Sequence, residues 1–409
     1  MEAIALDGGV PVRDTEIYYG RQWIDEDDIA AVAEVMRGDL ITCGPKVAEL
    51  EQTLCAYTGA KHAVVVNSGT AALHAAVVAA GIGEGDEVIT TPLTFMASAN
   101  CALYAGAKPV FADIDPETYQ IDPASIEARI TERTKAVVAV DYAGEVVDAE
   151  RIRAICDKHH LVFIEDAAHA IGSKHKGKRT GSYADITCFS FHPVKTVTSG
   201  EGGALLTNDD AYAKKAMLFR SHGIERNIAG IADRLYDETT EVKKEAMHYI
   251  TDQPFLGYNY RMPDMNAALL LSQMKKLDRF IARRKELVAR YDEAFRDLPQ
   301  IALQKSPAWS DAARHLYTIR LVPEKLSCDR ALFFSAMEAE RVVCQVHYMP
   351  TYLFSHYQRL GYRKGSCPVA ERTYAQLMSI PLYPKLTDAE AEDVIRAVKK
   401  VAAYYAAGS

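Results

Sequence analysis

Segments typical of strands and of helices alternate through the first two thirds of this chain of 409 residues. Strand-like runs lie at 63–67, 87–90, 109–113, 136–140 and 161–165, and helix-forming runs lie at 71–80 and 148–159. Because helices that connect successive strands cover both faces of a sheet, this order predicts an α/β fold with a buried parallel or mixed sheet. The length is sufficient for two domains with substantial cores.

The pattern changes near residue 265, where a long helical pattern begins and covers 266–295. Beyond it the chain mixes predicted strands at 316–321 and 342–347 with predicted helices at 330–340 and 388–403. Such a mixture is typical of a smaller α+β domain. We therefore predict a large α/β domain at 1–262 and a small C-terminal α+β domain at 263–409.

Residues 227–252 are polar, charged and only weakly periodic. This composition predicts an insertion or flap before residue 254. Two interpretations stay open: the segment shapes the opening to a substrate, or it is a solvated surface loop, which is the commoner fate of long polar insertions.

Charge and cysteine content bear on the partners and the compartment. The formal net charge is −8 without a long run of one sign, which disfavours nucleic acid as a partner. The eight cysteines contain no CxxC pair, and no basic-then-apolar leader begins at Met1, so we expect a cytoplasmic protein. No apolar run approaches the roughly 18 residues of a membrane span, so we expect no membrane partner.

Asp166 and Lys195 form the most informative pair of residues. Asp166 closes one apolar strand, and Lys195 follows another at 186–191. A planar cofactor can be met from two sides by such a pair, with the aspartate at a pyridinium nitrogen and the lysine at an aldehyde. A glycine-rich turn at 199–203 would let the backbone approach a ligand closely. Although a single lysine is usually structural, the combination predicts pyridoxal phosphate chemistry.

A second group of candidate binding residues follows the strand-like run at 63–67. Ser68, Gly69 and Thr70 stand where that strand gives way to a helix, so free backbone N–H groups and two hydroxyls would face an anion. A plain helix cap explains the same residues when they are taken alone. Together with Asp166 and Lys195, in this chain order, they favour a phosphate site. The sequence contains no GxGxxG and no GxxxxGK[ST] nucleotide fingerprint.

Phe95 lies just beyond the strand-like run at 87–90. An aromatic ring at this place can stack on a pyridine ring. Packing in the hydrophobic core is the alternative interpretation, and it is the commoner role of a single aromatic residue.

Six motifs resemble those of the DegT/StrS family of nucleotide-sugar aminotransferases, and the resemblance covers nearly the whole chain. The motifs are Asn67-Ser68-Gly69-Thr70, Glu165-Asp166-Ala167-Ala168-His169, Phe189-Ser190-Phe191-His192-Pro193-Val194-Lys195, Gly200-Glu201-Gly202-Gly203, Arg220-Ser221-His222-Gly223 and Gly257-Tyr258-Asn259-Tyr260-Arg261-Met262. The chain is most similar to the branch that aminates a UDP-linked 4-keto-6-deoxy-N-acetyl sugar on the pseudaminic acid route. The residues that suggest this branch are Tyr19-Gly20-Arg21-Gln22, Val346-His347-Tyr348-Met349-Pro350 and Leu360-Gly361-Tyr362.

The resemblance implies the type I fold of pyridoxal-phosphate-dependent transferases, as in aspartate aminotransferase. It implies that Lys195 forms a Schiff base with pyridoxal 5'-phosphate, that Asp166 keeps the ring nitrogen protonated and that His169 lies near the phenolic oxygen. Gly69, Thr70 and Ser190 would bind the phosphate of their own subunit. In this family the asparagine of the G-x-N-x-R motif reaches the neighbouring subunit's phosphate, so Asn259 implies a homodimer with shared sites.

The implied activity is transfer of an amino group from glutamate to a nucleotide-linked keto sugar. Dehydratase members of the family replace the lysine with histidine, so Lys195 argues against dehydration. Arg21 could pair with a diphosphate and Tyr348 could pack on a sugar or base. The candidate substrate contacts are Tyr19, Arg21, His192, Arg261, His347 and Tyr348.

Three residues depart from the family pattern around the predicted sugar pocket. Asp141 and Glu145 stand in a segment where relatives commonly carry a histidine and a glutamine, and Asn266 replaces a common glutamine. We expect these departures to bear on the choice of sugar.

Other functions remain open at this stage. The acceptor could be a 3-keto sugar or a sugar linked to dTDP or GDP. A cofactor-binding regulatory homologue without turnover would carry the same cofactor residues, and turnover of an amino donor separates it from an enzyme. A metal-dependent hydrolase is disfavoured because the twelve histidines form no HxH or HExxH pattern, so no metal site is predicted.

Overall fold

The structure is a computed structural model that describes residues 3–226 and 251–407. The segment predicted as a flap at 227–252 therefore lies outside the described residues, apart from its last two positions. Among the described residues no helix is both long enough and apolar enough to cross a membrane.

Strands and helices alternate in the large domain as predicted. Its strands are β1 (His62–Val66), β2 (Glu87–Thr90), β3 (Lys108–Phe111), β4 (Thr134–Val140), β5 (Val162–Asp166), β6 (Lys174–His175), β7 (Lys178–Arg179), β8 (Ile186–Ser190) and β9 (Gly203–Thr207). Its helices are α1 (Glu26–Arg37), α2 (Pro45–Thr58), α3 (Gly69–Ala79), α4 (Ala97–Tyr104), α5 (Pro123–Glu127), α6 (Ala149–His159) and α7 (Asp210–Phe219).

Seven of these strands form one mixed sheet in the order β1-β9-β8-β5-β4-β2-β3. Strand β9 runs antiparallel to both of its neighbours, and the other pairings in this sheet are parallel. The carboxyl ends of β4, β5 and β8 therefore meet at one edge, where ligands bind in open α/β sheets.

Both faces of the sheet are buried, as β1 illustrates. Val64 packs in one hydrophobic cluster with side chains of α3, whereas the adjacent Val65 packs in another cluster with Leu50 of α2. Because successive side chains of a strand point to opposite faces, helices must cover both sides. A continuous apolar run such as β1 is typical of this arrangement.

The C-terminal part contains the helices α8 (Asp264–Met274), α9 (Leu277–Phe295), α10 (Arg330–Ala339), α11 (Ser355–Arg359), α12 (Pro368–Gln376) and α13 (Asp388–Tyr404). Its strands are β10 (Ile301–Leu303), β11 (Ser310–Asp311), β12 (Tyr317–Leu321) and β13 (Leu377–Ile380). Strands β10, β12 and β13 form an antiparallel sheet, and α10 and α13 share a hydrophobic core with it.

The core clusters do not follow the predicted division at 262/263. Ile4 and Ile17 pack in the core of the C-terminal part, and Ile17 forms an isolated bridge with Val342. Conversely, Leu270 of α8 packs in a cluster with Val65 of the large sheet. The domain boundary remains a prediction. These contacts show that each part contributes side chains to the hydrophobic core of the other.

Two local predictions were wrong. The predicted helix at 266–295 is two helices, α8 and α9, separated at Lys275 and Lys276. The Lys276 amine pairs with Asp25 and Asp28 near the start of α1, a distant contact that hydrophobic periodicity cannot reveal. The predicted strand at 342–347 forms only isolated bridges, because its partners are single residues of separate segments.

Candidate active site

Asp166 and Lys195 are brought together at the edge where β5 and β8 end. Asp166 is the last residue of β5 and pairs in register with Cys188 of β8. Lys195 lies in the turn beyond β8, and its backbone N–H donates to the carbonyl of His192. Both side chains line one cavity of about 410 Å³. Asp166 and Lys195 are distant in the sequence, but they lie at the same edge of the sheet because β5 and β8 pair in parallel.

Asp166 is 4% exposed, and its two carboxylate oxygens have separate donors. The Ser98 hydroxyl donates to Oδ2 at 2.6 Å, and the Ala168 backbone N–H donates to Oδ1 at 3.2 Å. Burial raises the pKa of Asp166, while these two donors and Lys195 oppose that rise. Ser98 carries no motif in the sequence that predicts this contact; it lies one turn after Phe95.

Burial lowers the pKa of Lys195 to about 8, and the charge of Asp166 opposes this effect. Removing an ammonium group from water disfavours its charged form. Near neutral pH the Lys195 side chain is therefore a neutral amine more often than an exposed lysine is, and the neutral amine is the form that attacks a carbonyl carbon.

The start of α3 faces the same cavity. Ser68 is the helix N-cap, and its side chain accepts a hydrogen bond from the Ala71 N–H at 3.1 Å. The two interpretations made from the sequence thus coexist, because capping satisfies one of the first N–H groups and leaves others for an anion. Ser68, Gly69, Thr70 and Ser190 all line the cavity.

Gly203 allows β9 to pass close to the start of α3. A Cβ atom on Gly203 would lie 2.3 Å from the Ser68 carbonyl oxygen and 2.7 Å from the Gly69 nitrogen. We expected the glycine-rich turn to approach a ligand; at this position the close neighbour is the backbone of the candidate phosphate site. The side chain is absent because two protein segments pack together there.

Gly203→Ala is expected to destabilise the protein by about 2 kcal/mol or more, because rigid backbone atoms would have to shift. It should also weaken phosphate binding, since Ser68 and Gly69 would move. Urea denaturation measures the first effect, and titration with pyridoxal phosphate measures the second.

Gly83→Ala is the matched control, since its nearest non-local atom would lie at an ordinary 3.9 Å. Unchanged stability and cofactor affinity in Gly203→Ala would contradict the steric argument.

Three buried imidazoles surround the lysine. The Ala143 N–H donates to His169 Nδ1 at 3.2 Å, so the proton of neutral His169 is on Nε2, which contacts the Tyr348 hydroxyl at 3.1 Å. His347 contacts the Ser379 hydroxyl at 2.8 Å. Burial lowers the pKa of all three imidazoles, to about 3 for His347 and well below the usual value for His169 and His315. They are therefore neutral hydrogen-bonding groups at neutral pH.

His315 was missed by the sequence analysis. Its ring centre lies 4.6 Å from that of His169, and it lines the cavity. Its position just before β12 gave no chemical signal, because the contact crosses from the C-terminal part to the large domain.

The predicted aromatic and histidine contacts also reach this cavity, whose lining includes Tyr19, Phe95, His192, His347 and Tyr348. Phe95 is 53% exposed, and its ring centre lies 6.3 Å from that of Tyr348. Core packing therefore does not describe Phe95, which presents a ring at the cavity wall.

Arg21, Asn259 and Arg261 do not line the cavity of their own chain. Arg261 donates to the Ser221 hydroxyl at 3.0 Å and lines a different cavity of about 290 Å³. Asn259 is exposed, and its backbone forms an isolated bridge with Ser221. Arg21 is exposed as well. The roles of these three residues stay predictions.

The three departures from the family pattern do not line the cavity either. Glu145 is buried against Arg314, with 2.6 Å between their charged atoms. Asp141 is fully buried and accepts the Val147 N–H at 3.0 Å. Asn266 donates to the Ser199 carbonyl at 2.7 Å and to that of Glu201 at 3.3 Å. Asn266 therefore supports the glycine-rich turn from behind.

The cavity residues fit pyridoxal phosphate. A buried carboxylate, a lysine with a lowered pKa and an exposed aromatic ring share one cavity with a helix N-terminus. These groups match a ring nitrogen, an aldehyde, a pyridine face and a phosphate.

Comparisons with known proteins agree with the motifs. The model of the DegT/DnrJ/EryC1/StrS aminotransferase family matches residues 22–399. The UDP-4-amino-4,6-dideoxy-N-acetyl-beta-L-altrosamine transaminase of Campylobacter jejuni is 39% identical over 383 residues, which cover 92% of this chain and 95% of that protein.

Solved structures share the fold. Helicobacter pylori PseC, described as an aminotransferase involved in the biosynthesis of pseudoaminic acid, has a TM-score of 0.86 and 33% identity over 96% of this chain and 100% of its own. The PLP-form of the putative sugar aminotransferase Spr1654 from Streptococcus pneumoniae has a TM-score of 0.86 and 30% identity over 95% and 99%. The predicted type I fold is confirmed, and the chain belongs to the DegT/DnrJ/EryC1/StrS aminotransferase family.

Proposed function

We propose that this protein is a pyridoxal 5'-phosphate-dependent nucleotide-sugar aminotransferase. The amino donor is glutamate, and the acceptor is the C4 ketone of a UDP-linked 4-keto-6-deoxy-N-acetyl hexose used for surface glycans. The observation that carries the reaction type is the shared cavity of Asp166 and Lys195 beside the start of α3. The choice of acceptor rests on the relative from Campylobacter jejuni that is named as a UDP-amino-sugar transaminase.

The cofactor residues have separate tasks. Lys195 would hold the aldehyde and Asp166 the ring nitrogen. Phe95 would cover a ring face, and His169 would lie near the phenolic oxygen. Ser68, Gly69, Thr70 and Ser190 hold the phosphate. When bound, the cofactor supplies an electron sink that stabilises negative charge at the carbon bearing the amine.

Proton transfer belongs to Lys195. The lowered pKa of the Lys195 amine would let its Nζ accept a proton from the donor carbon that bears the amine. The Asp166 carboxylate would keep the ring nitrogen protonated. The neutral imidazoles of His169, His315 and His347 bring no competing positive charge into the cavity.

The functional unit is a homodimer in the cytoplasm. The eight cysteines are free in the structure, which fits a reducing compartment. Asn259 is assigned to the neighbouring subunit's site, where it would bind the cofactor phosphate, and Arg261 is a candidate substrate contact. Asn259 is exposed, and it is flanked by Tyr258, which is 41% exposed.

Mixing Lys195→Ala subunits with Asn259→Ala subunits is expected to restore activity that neither variant has alone. In a heterodimer one of the two sites contains both wild-type residues, so about half of the sites in each heterodimer become competent. Turnover is measured after subunit exchange has been verified with differently tagged subunits. Verified exchange without recovered activity would contradict the shared site.

The acceptor is tested by offering the enzyme and glutamate a panel of UDP-, dTDP- and GDP-linked 3-keto and 4-keto sugars. Mass and NMR identify the product. We expect amination at C4 of the UDP-linked N-acetyl sugar. Turnover of a 3-keto sugar with none of the 4-keto sugar would overturn the regiochemistry, and cofactor binding without turnover of any sugar would indicate the regulatory alternative.

A further inference from the structure

Glu201 is a charged residue of the cavity, and it has no assigned role in holding the cofactor. Among the described residues that line the cavity, the Asp, Glu, Lys and Arg side chains are those of Asp166, Lys195 and Glu201. Asp166 and Lys195 are assigned to opposite ends of the cofactor. Glu201 is thus the remaining charge that a substrate meets.

The backbone of Glu201 is held in place, while its side chain is free. Its carbonyl accepts the Ser199 hydroxyl at 2.9 Å and the Asn266 amide at 3.3 Å. Its side chain is 67% exposed, and its Oε1 lies 4.0 Å from His192 Nε2, which is beyond hydrogen-bond distance. Burial lowers the pKa of His192, so that imidazole is largely uncharged at neutral pH. The Glu201 carboxylate therefore extends from an anchored backbone, and among the described residues it has no hydrogen-bond partner.

An ionised carboxylate accepts hydrogen bonds and donates none. Glutamate carries two carboxylates and a nucleoside diphosphate carries charged phosphates, so Glu201 repels both. The sugar ring between the diphosphate and the ketone presents hydroxyl groups and an amide N–H without charge. A hydrogen bond from such a donor to a charged acceptor is among the stronger ones in proteins.

We propose that Glu201 is a specificity residue that accepts a hydrogen bond from a hydroxyl or amide N–H of the keto-sugar ring. This role rests on the proposed function. Glu201 raises the preference for the uncharged ring over the amino donor, which carries two carboxylates, after the cofactor has been aminated. The same cavity can then serve two chemically different substrates in turn.

The test separates the two half-reactions of the cofactor-loaded enzyme in single-turnover experiments. In Glu201→Gln we expect the second-order rate constant for the UDP-linked 4-keto-6-deoxy-N-acetyl hexose to fall by about tenfold or more. The half-reaction with glutamate should not slow, because a repulsive charge has been removed. An acceptor that lacks the ring donor should show no difference between wild type and variant.

Glu324→Gln, at an exposed glutamate of the C-terminal part, is the matched control. Equal losses in both half-reactions would show that Glu201 supports the turn, and unchanged rates in both would show that it is only a solvated side chain; either result overturns the proposed role. Failure of the wild-type enzyme with every nucleotide keto sugar would instead overturn the proposed function.

Discussion

Lys195→Ala is expected to lower transamination by at least about 10³-fold, because both the covalent anchor and the proton-transfer base are lost. Among the described residues that line the cavity there is no second lysine to replace it. The fold should persist, because the truncation removes a buried amine and introduces no new buried polar group. Steady-state turnover with the accepted keto sugar measures the loss, and circular dichroism checks the fold.

Borohydride reduction of the wild-type enzyme provides the chemical check. The cofactor should be recovered on the peptide that contains Lys195. Lys364→Ala is the control, since Lys364 is exposed outside the cavity and its loss should leave turnover unchanged. Recovery of the label on another lysine would refute the assignment.

Asp166→Asn is expected to retain the cofactor while turnover falls by about 10²- to 10³-fold. The amide keeps the shape of the side chain, and the Ser98 hydroxyl can turn because it also contacts Thr94 at 2.7 Å. The negative charge that keeps the ring nitrogen protonated is lost, so the electron sink weakens.

The effect of Asp166→Asn should appear in both half-reactions, since both depend on the same ring nitrogen. A substrate deuterated at the transferred position should show a larger isotope effect in the variant, as proton transfer becomes slower. Asp297→Asn, at an exposed aspartate, is the control. Wild-type rates in Asp166→Asn would exclude the assigned role.

The cofactor end of the site could be predicted from the sequence because its residues follow buried strands. Asp166 ends β5, Lys195 follows β8 and Ser68 follows β1, so the strand pattern places them at one edge. The motifs then indicated that these residues bind pyridoxal phosphate. Local order along the chain carries this information, because parallel strands end at the same side of a sheet.

The rest of the site depends on contacts between distant segments. His315 reaches the cavity from the turn before β12, and Ser98 reaches Asp166 from α4. Neither carries a local pattern that distinguishes it from an ordinary surface or core residue. Lys276, at the break between α8 and α9, likewise pairs with Asp25 and Asp28, which lie far away in the sequence.

The packing of Ile4 and Ile17 into the C-terminal core has a consequence for synthesis on the ribosome. These residues emerge early, but Phe333 and Val398, which share their cluster, are made near the end. At about 5–20 residues per second, Ile17 waits roughly 15 to 60 s for Phe333. During that interval the large sheet can form, while Ile4 and Ile17 still lack the residues they pack against. Their apolar side chains are then exposed, and a holdase chaperone could bind them.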